Sequence, residues 1–207
     1  MLNSHHLSDD EKAEALKRWW SENGKSIIGG IVIGLALVFG WRYWGTYQQQ
    51  QAAQASQEFD VFAQALQADN LDSAEAINQT LRADYASTPY DYFAALELAR
   101  VYVSQKDLPS AKAQLEYAAA QADLEGLKAM ANVRLARVLL AMNEADAAAA
   151  LAKQYSGTAF AGEFAHIEGD IALASGDKAA ALSAYQKALD ANGSNQAFIE
   201  MKINQVR

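Results

Sequence analysis

Three histidines and the carboxylates near them are the side chains of this sequence whose types could do chemistry. His5 and His6 are adjacent and precede Asp9 and Asp10, and neighbouring imidazoles and carboxylates can hold a metal ion. The pair lies in a polar N-terminal stretch, which is more typical of a solvated tail than of a metal site. We therefore predict no metal centre there.

His166 is the only other histidine, and Asp170 follows it one helical turn later. We expect a surface or partly buried helix histidine, because the chain has no cysteine to complete a ligand set. Glu163 and Asp170 are interpreted as solvated positions of a helix rather than as an acid–base pair. The glycines lack the lysine pattern of a phosphate loop. The sequence therefore predicts neither an enzyme nor a bound cofactor or small-molecule substrate.

Charge and cysteine content exclude further classes of function. The formal net charge is −8, and residues 1–47 contain five basic and five acidic side chains, so the whole excess lies in residues 48–207. That region should be repelled by nucleic acid, and we expect no nucleic-acid partner. The absence of cysteine rules out disulfides and thiolate ligands.

One stretch, residues 26–44 (SIIGGIVIGLALVFGWRYW), has the length and composition of a membrane-spanning helix. It carries no charge before Arg42, and at about 1.5 Å per residue it would span about 28 Å, close to the hydrocarbon thickness of about 30 Å. Trp19 and Trp20 precede it and Trp44 ends it, and these three residues, with Arg42, are predicted membrane-interface anchors. A surface helix of a soluble domain would keep a polar stripe, which disfavours a soluble alternative.

A cleaved signal peptide is the other alternative, because residues 53–55 (AQA) have the small-x-small pattern of a cleavage site. Their distance beyond the apolar run disfavours cleavage. Four basic residues stand before the span within residues 12–25, whereas Arg42 is the only one after it until Arg82. The N-terminus is therefore predicted to stay in the cytoplasm, and the C-terminal part to be exported, into the periplasm if the organism is a Gram-negative bacterium.

Small residues recur on one face of the predicted span. Gly30 and Gly34 form a G-x-x-x-G pair, a spacing that lets a second helix backbone approach closely. Glycine is also common in membrane helices, so helix packing through this pair is a hypothesis, with self-association and packing on a partner both open.

Composition divides the chain into four parts. Residues 1–25 form the cytoplasmic segment, and residues 26–47 form the transmembrane helix with its interfacial aromatic residues. Residues 48–58 are rich in Gln and Ala and are predicted to form a helical stalk. Residues 59–207 are predicted to form a domain of helical repeats.

Internal repetition predicts the fold of that domain. Within residues 97–118, 134–155 and 168–189, equivalent small residues recur at offsets of 37 and then 33 residues, near the helix–turn–helix period of about 34. Each unit has a small residue in its first helix, a polar turn, and a small residue in its second helix, with apolar residues at helical spacing. The small residues predicted at the helix crossings are Ala99, Ala111, Ala136, Ala148, Gly169 and Ala181.

The two ends of the array are less regular. Residues 69–85 complete an earlier, degenerate unit with Ala74 in the equivalent position, and residues 192–193 (NG) give a helix stop. Residues 196–207 are predicted to form a helix that caps the open end. The fold predicted is all-α: a single N-terminal transmembrane helix followed by a tetratricopeptide-like helical-repeat solenoid with a C-terminal capping helix.

The middle unit, residues 134–155, leaves its register open. Ala152 stands where the neighbouring units have a large residue, and a shift of one residue would place Leu151 there instead.

The repeat units resemble the tetratricopeptide repeat. The order of leading segment, single span, Gln-rich stalk, repeats and final FIEMKINQV resembles the bacterial YfgM family over essentially the full length. The resemblance implies an inner-membrane protein ancillary to the SecYEG translocon, with an exported repeat domain. It also implies as partners the translocon, a membrane-anchored PpiD-like chaperone and other periplasmic chaperones. A cell-envelope scaffold that organises division or wall-synthesis proteins, built from the same parts, is the alternative.

Overall fold

The computed structural model describes residues 9–191 and 195–207. Within these ranges the chain is all-α and has no strand. The helices are α1 (Asp9–Gln67), α2 (Leu71–Asp84), α3 (Tyr90–Ser104), α4 (Leu108–Gln121), α5 (Glu125–Ala141), α6 (Ala145–Gln154), α7 (Ala161–Ala174), α8 (Lys178–Asp190) and α9 (Gln196–Val206). His5, His6 and the helix stop predicted at residues 192–193 lie outside the described residues.

The chain divides into two compact units, an anchor unit up to Ala53 and a repeat domain from Gln54 to Arg207. The anchor unit contains the predicted span within α1, and only 6% of its most apolar window is buried. The core helix of a soluble domain is mostly buried, so this exposure argues against the soluble alternative. The boundaries predicted at residues 25, 47 and 58 stay predictions, because α1 runs through all three without a break.

The same tight turn joins the helices within each repeat unit. Its first residue has a left-handed backbone, which the sequence supplies as an asparagine, a glycine or an exposed charged residue. In the turn from α3 to α4, the N–H of Asp107 then donates to the carbonyl of Tyr102 at 2.9 Å and closes the preceding helix. The left-handed residues recur at intervals of 37, 37 and 33 and are Asp69 (φ 54°), Lys106 (64°), Asn143 (63°) and Gly176 (84°).

The next residue of each turn caps the helix that follows. The side chains of Asn70, Asp107 and Asp177 each accept a hydrogen bond from the backbone N–H three residues later, at 2.9–3.2 Å. In the part of the chain that the structure describes, Glu144 makes no such bond, and its carboxylate pairs with Lys112 of α4 at 2.7 Å. These turns fix where each second helix begins.

The residues predicted at the helix crossings all lie in the core. Gly169 shows why size matters there, because a Cβ built on it would lie 2.4 Å from two ring carbons of Tyr185 on α8. No side chain fits that gap without movement. Their role as crossing points stays a prediction, which burial supports for Ala99, Ala111, Ala136, Ala148, Gly169 and Ala181.

The middle unit keeps its register without a one-residue shift. Ala152 is 1% exposed, whereas Leu151 is only partly buried. Volume is restored three residues later by buried Tyr155, whose ring stacks on Phe164 of α7 with centroids 4.4 Å apart and an interplanar angle of 4°. In the neighbouring units the large residue comes first and an alanine follows three positions later, so this unit reverses the order.

Helix α9 caps the array, as the sequence predicts. Its buried side chains are Ile199, Ile203 and Val206, which share a cluster with residues of α7 and α8, among them Tyr185. Phe198 stays partly exposed. The apolar end of the last repeat is thereby covered.

Candidate interaction groove and membrane helix

A groove of about 420 Å³ opens between α3 and α5 of the repeat domain. Its floor is apolar and is completed by two leucines of α4, while arginines of α3 and α5 line it on either side. We call it the inner groove. Its main lining residues are Leu96, Arg100, Val103, Leu108, Leu115, Arg134, Arg137 and Val138.

Helical spacing brings these side chains to the groove. Residues 96, 99, 100 and 103 of α3 and residues 134, 137, 138 and 141 of α5 follow the same i, i+3, i+4, i+7 pattern, which places each set on one helix face. Arg100 and Arg137 are 37 residues apart, which is the repeat interval. This pair is not among the residues predicted from the sequence, although two arginines at one repeat position could have indicated it.

The inner groove has a charge opposite to that of its domain. Residues 48–207 contain five arginines, and three of them, Arg100, Arg134 and Arg137, line this groove. Glu97 is the carboxylate among the lining residues and pairs with Arg100 at 2.9 Å. The lining is therefore locally positive on a region whose net charge is −8.

Two further recesses adjoin the inner groove through shared side chains. One, of about 560 Å³, shares Glu97 and Arg100 and is also lined by Phe59 of α1. The other, of about 260 Å³, shares Arg134 and Arg137. Its additional lining residues are Gly126, Met130, Val133, Phe160 and Glu163. Because the lining is shared, the three recesses form one track along the first helices of successive units.

A buried carboxylate, that of Asp91, lies in a network of contacts among α2, α3 and α4. Asp91 is 2% exposed and accepts hydrogen bonds from the hydroxyl of Tyr117 and from the backbone N–H of Tyr92, both at 2.7 Å. The guanidinium of Arg82 lies 3.5 Å above the Tyr117 ring. Burial raises the pKa of Tyr117, and its bond to Asp91 raises it further. The network ties α2, α3 and α4 together.

A second carboxylate, Asp170, connects the cap to the last repeat. It accepts hydrogen bonds from the hydroxyl of Tyr185 at 2.7 Å and from the ammonium group of Lys202 on α9. The interpretation of Asp170 as a solvated position was therefore wrong, since its side chain is mostly buried and doubly bonded. No local pattern in the sequence predicts these bonds, because both donors lie on other helices.

His166 is buried beside this carboxylate rather than at the surface. Its Nε2 lies 3.8 Å from Oδ2 of Asp170, and that nitrogen has no hydrogen-bond partner among the described residues. Burial lowers the pKa of His166, and the positive charges of Lys202 and Arg137 lower it further, against the opposing effect of Asp170. Among the described residues, His, Asp and Glu form no group of three placed to hold a metal ion.

The predicted membrane anchors are exposed along α1, as interfacial residues must be. Trp19, Trp20, Arg42 and Trp44 all have exposed side chains. Trp20 and Trp44 are 24 residues apart, which corresponds to about 36 Å of helix. That length lies between the hydrocarbon thickness of about 30 Å and the full bilayer thickness of about 40–45 Å. The anchoring role stays a prediction that fits these dimensions.

The glycine pair of the span is open to a neighbour. A Cβ built on Gly30 or Gly34 would meet nothing within 4 Å. A second helix can therefore approach this face, but packing through it stays a prediction.

Comparison with known proteins covers both units. A family model described as a tetratricopeptide repeat-like domain matches residues 17–207. A protein of Haemophilus influenzae named "Ancillary SecYEG translocon subunit" is 33% identical over 202 residues, which cover 97% of this chain and 98% of the relative. The protein of the same name from Escherichia coli K12 is 34% identical over 199 residues, 95% of this chain and 96% of the relative. No solved structure matches the chain.

These matches extend through the apolar helix as well as the repeats, so they concern the whole architecture and not only a common repeat fold. They fit a single-pass protein of the inner membrane. The chain therefore belongs to the YfgM family, that of the ancillary SecYEG translocon subunits with a tetratricopeptide repeat-like domain.

Proposed function

We propose that this protein is a non-catalytic adaptor of the SecYEG translocon, anchored in the inner membrane by one span. In this proposal its repeat domain lies in the periplasm and binds a PpiD-like membrane-anchored chaperone, other periplasmic chaperones or emerging clients. The observation that carries the proposal is the full-length similarity to proteins named as ancillary translocon subunits, which includes the span.

The charge distribution around the span supports the orientation. Lys12, Lys17, Arg18 and Lys25 all lie before residue 26, and Arg42 is the one basic residue between there and Arg82. Basic residues are retained on the cytoplasmic side, so the repeat domain is exported.

The repeat domain supplies a binding surface. Its inner groove and the two adjoining recesses are lined by apolar side chains and arginines of several helices. A track of this kind suits a polypeptide segment, as grooves between stacked helix pairs do in other repeat proteins. Its position on the exported domain puts it where chaperones and emerging chains are available.

Affinity purification from membranes tests this function. The tagged full-length chain, extracted in a mild detergent, should recover SecY and a PpiD-like chaperone. A matched variant in which residues 26–47 are replaced by an unrelated apolar span of equal length should insert equally well and lose SecY. If the native chain recovers wall-synthesis or division proteins and no translocon component, the envelope-scaffold alternative replaces this proposal.

A further inference from the structure

The inner groove combines two features that point to one class of ligand. Its floor presents apolar side chains, among them Val103, which is 44% exposed. Its sides carry the guanidinium groups of Arg100 on α3 and of Arg134 and Arg137 on α5. A ligand that fills the groove must therefore bury apolar surface and bring negative charge.

Arginine makes the kind of negative charge specific. Its planar fork donates two parallel hydrogen bonds to a carboxylate and is weakly hydrated, so it also tolerates apolar surroundings. A nucleic-acid backbone offers phosphates but little that would cover the leucine and valine floor. A polypeptide with carboxylates beside apolar side chains matches both features.

We infer that the inner groove binds an acidic–apolar segment of a partner polypeptide, with leucine-like side chains on the floor and Glu or Asp side chains on the arginines. This inference rests on the proposed function and names the chemistry of the partner segment. The volume of about 420 Å³ falls within the usual range of ligand pockets, about 300–1,000 Å³. It therefore accommodates a few side chains, and the adjoining recesses extend the contact.

The two sides of the groove differ in what they offer a carboxylate. Arg100 already pairs with Glu97 at 2.9 Å, so a ligand carboxylate must share or displace that partner. On α5, Arg134 and Arg137 are one helical turn apart, and both also line the neighbouring recess. Glu163 also lines that recess, and its carboxylate disfavours a second acid there. A ligand carboxylate is therefore best placed in the inner groove rather than in the neighbouring recess.

The negative charge of the rest of the domain restricts where an acidic segment can bind. The net charge of −8 on residues 48–207 repels an acidic segment at long range. An acidic segment is therefore attracted only where the arginines are concentrated. The expected result is a defined site rather than general adhesion to the domain surface.

Peptide binding to the full-length chain in zwitterionic lipid nanodiscs tests the inference. Three labelled peptides of equal length would be compared by fluorescence anisotropy, with leucines at the same positions and Glu, Gln or Lys at all others, and with empty nanodiscs as the blank. The Glu peptide should bind about tenfold more tightly than the Gln peptide, as three partly exposed charge pairs allow. The Lys peptide should bind most weakly.

A charge-matched pair of variants locates the site. Arg100→Gln, Arg134→Gln and Arg137→Gln together remove three positive charges from the groove. The control removes three exposed lysines that do not line it, Lys106, Lys153 and Lys178, also by substitution with Gln. The groove variant should lose about tenfold in affinity for the Glu peptide, whereas the control should change it by less than about twofold.

Several outcomes would overturn the inference. Equal binding of the Glu and Gln peptides, or equal losses in the two triple variants, would show that the arginines do not select the ligand. Val103→Asn, which leaves the charges of the groove unchanged, should also weaken binding of the Glu peptide, and an unchanged affinity would show that the apolar floor does not contribute. Concentration-dependent dimerisation of the chain that is lost in the groove variant would make a second copy the occupant. None of these results would change the recovery of SecY by the native chain. The proposed function is therefore tested separately, by affinity purification.

Discussion

Gly169→Ala should destabilise the repeat domain, although alanine favours helices. Gly169 lies within α7, where the ring of Tyr185 on α8 covers it. The added methyl group would lie 2.4 Å from two ring carbons and 3.0 Å from a third. Tyr185 is fully buried and its hydroxyl is bonded to Asp170, so the ring cannot swing aside freely.

The size of the effect is a difference between two terms. Overpacking a core costs about 1–3 kcal/mol, and the severity of this contact favours the upper end. Replacing glycine by alanine inside a helix recovers about 1 kcal/mol. The net loss in the free energy of unfolding is therefore about 2 kcal/mol, or about 4–8 °C in the midpoint temperature for a domain of this size.

Thermal unfolding of the full-length chain in detergent, followed by far-ultraviolet circular dichroism, measures this shift. Gly126→Ala is the matched control, because it lies in the first turn of α5 and its added methyl would meet the ring of Phe160 at an ordinary 3.7 Å. That variant should keep or slightly raise the midpoint.

A double-mutant cycle separates the clash from any general effect. Tyr185→Leu removes the ring, so Gly169→Ala should cost less in that background than in the native chain. If Gly169→Ala raises the midpoint in the native chain, or if its cost is the same in both backgrounds, the close approach of the two helices is not what requires glycine.

Further predictions concern pH, a turn, the membrane topology and the span. Burial holds the pKa of His166 below its ordinary value of about 6.5, so near pH 6.5 the unfolded chain gains a proton that the folded chain does not. The free energy of unfolding should therefore fall as the pH drops from 7 through 6.5. His166→Gln should flatten this fall in acid unfolding curves. Lys106→Gly should raise the free energy of unfolding by up to about 1 kcal/mol, and with it the thermal midpoint, because glycine adopts the φ of 64° found there without the strain that lysine has. In this cysteine-free chain, Ser183→Cys should react with an impermeant maleimide once the outer membrane is permeabilised, and Ser21→Cys only after lysis; the reverse pattern would invert the topology. Gly34→Leu should reduce recovery, in affinity purification, of the partner whose helix packs on the span, without lowering the amount of this protein in the membrane.

The helices of the repeat domain follow from the sequence because their signals are local. Polar turns recur near the repeat period, and each is followed by a residue that can cap a helix, such as Asp107 or Asp177. Apolar spacing then sets the buried faces, down to Ile199 and Ile203 of the cap. The register of the middle unit could not be predicted in this way, because this unit has its small residue, Ala152, before its large one, Tyr155. The contact that shows the register joins Tyr155 to Phe164 on another helix, α7.

The polar contacts and the groove were harder to predict because they join residues on different helices. Asp170 has a histidine one turn before it in the sequence, but its bonded partners are Tyr185 and Lys202, 15 and 32 residues away. The arginines of the inner groove sit at exposed helix positions that look like ordinary solvated charges. Only the alignment of Arg100 with Arg137 across the repeat marks them in the sequence.

Photocrosslinking in living cells tests the central claim most directly. A photoreactive residue at Val103 would report on the inner groove, one at Gly34 on the span, and one at exposed Glu116 of α4 would serve as the control outside the groove. The account predicts adducts with translocon components from the span, and adducts with a PpiD-like chaperone or an exported client from Val103 but not from Glu116. Adducts to wall-synthesis or division proteins alone from these sites would contradict it.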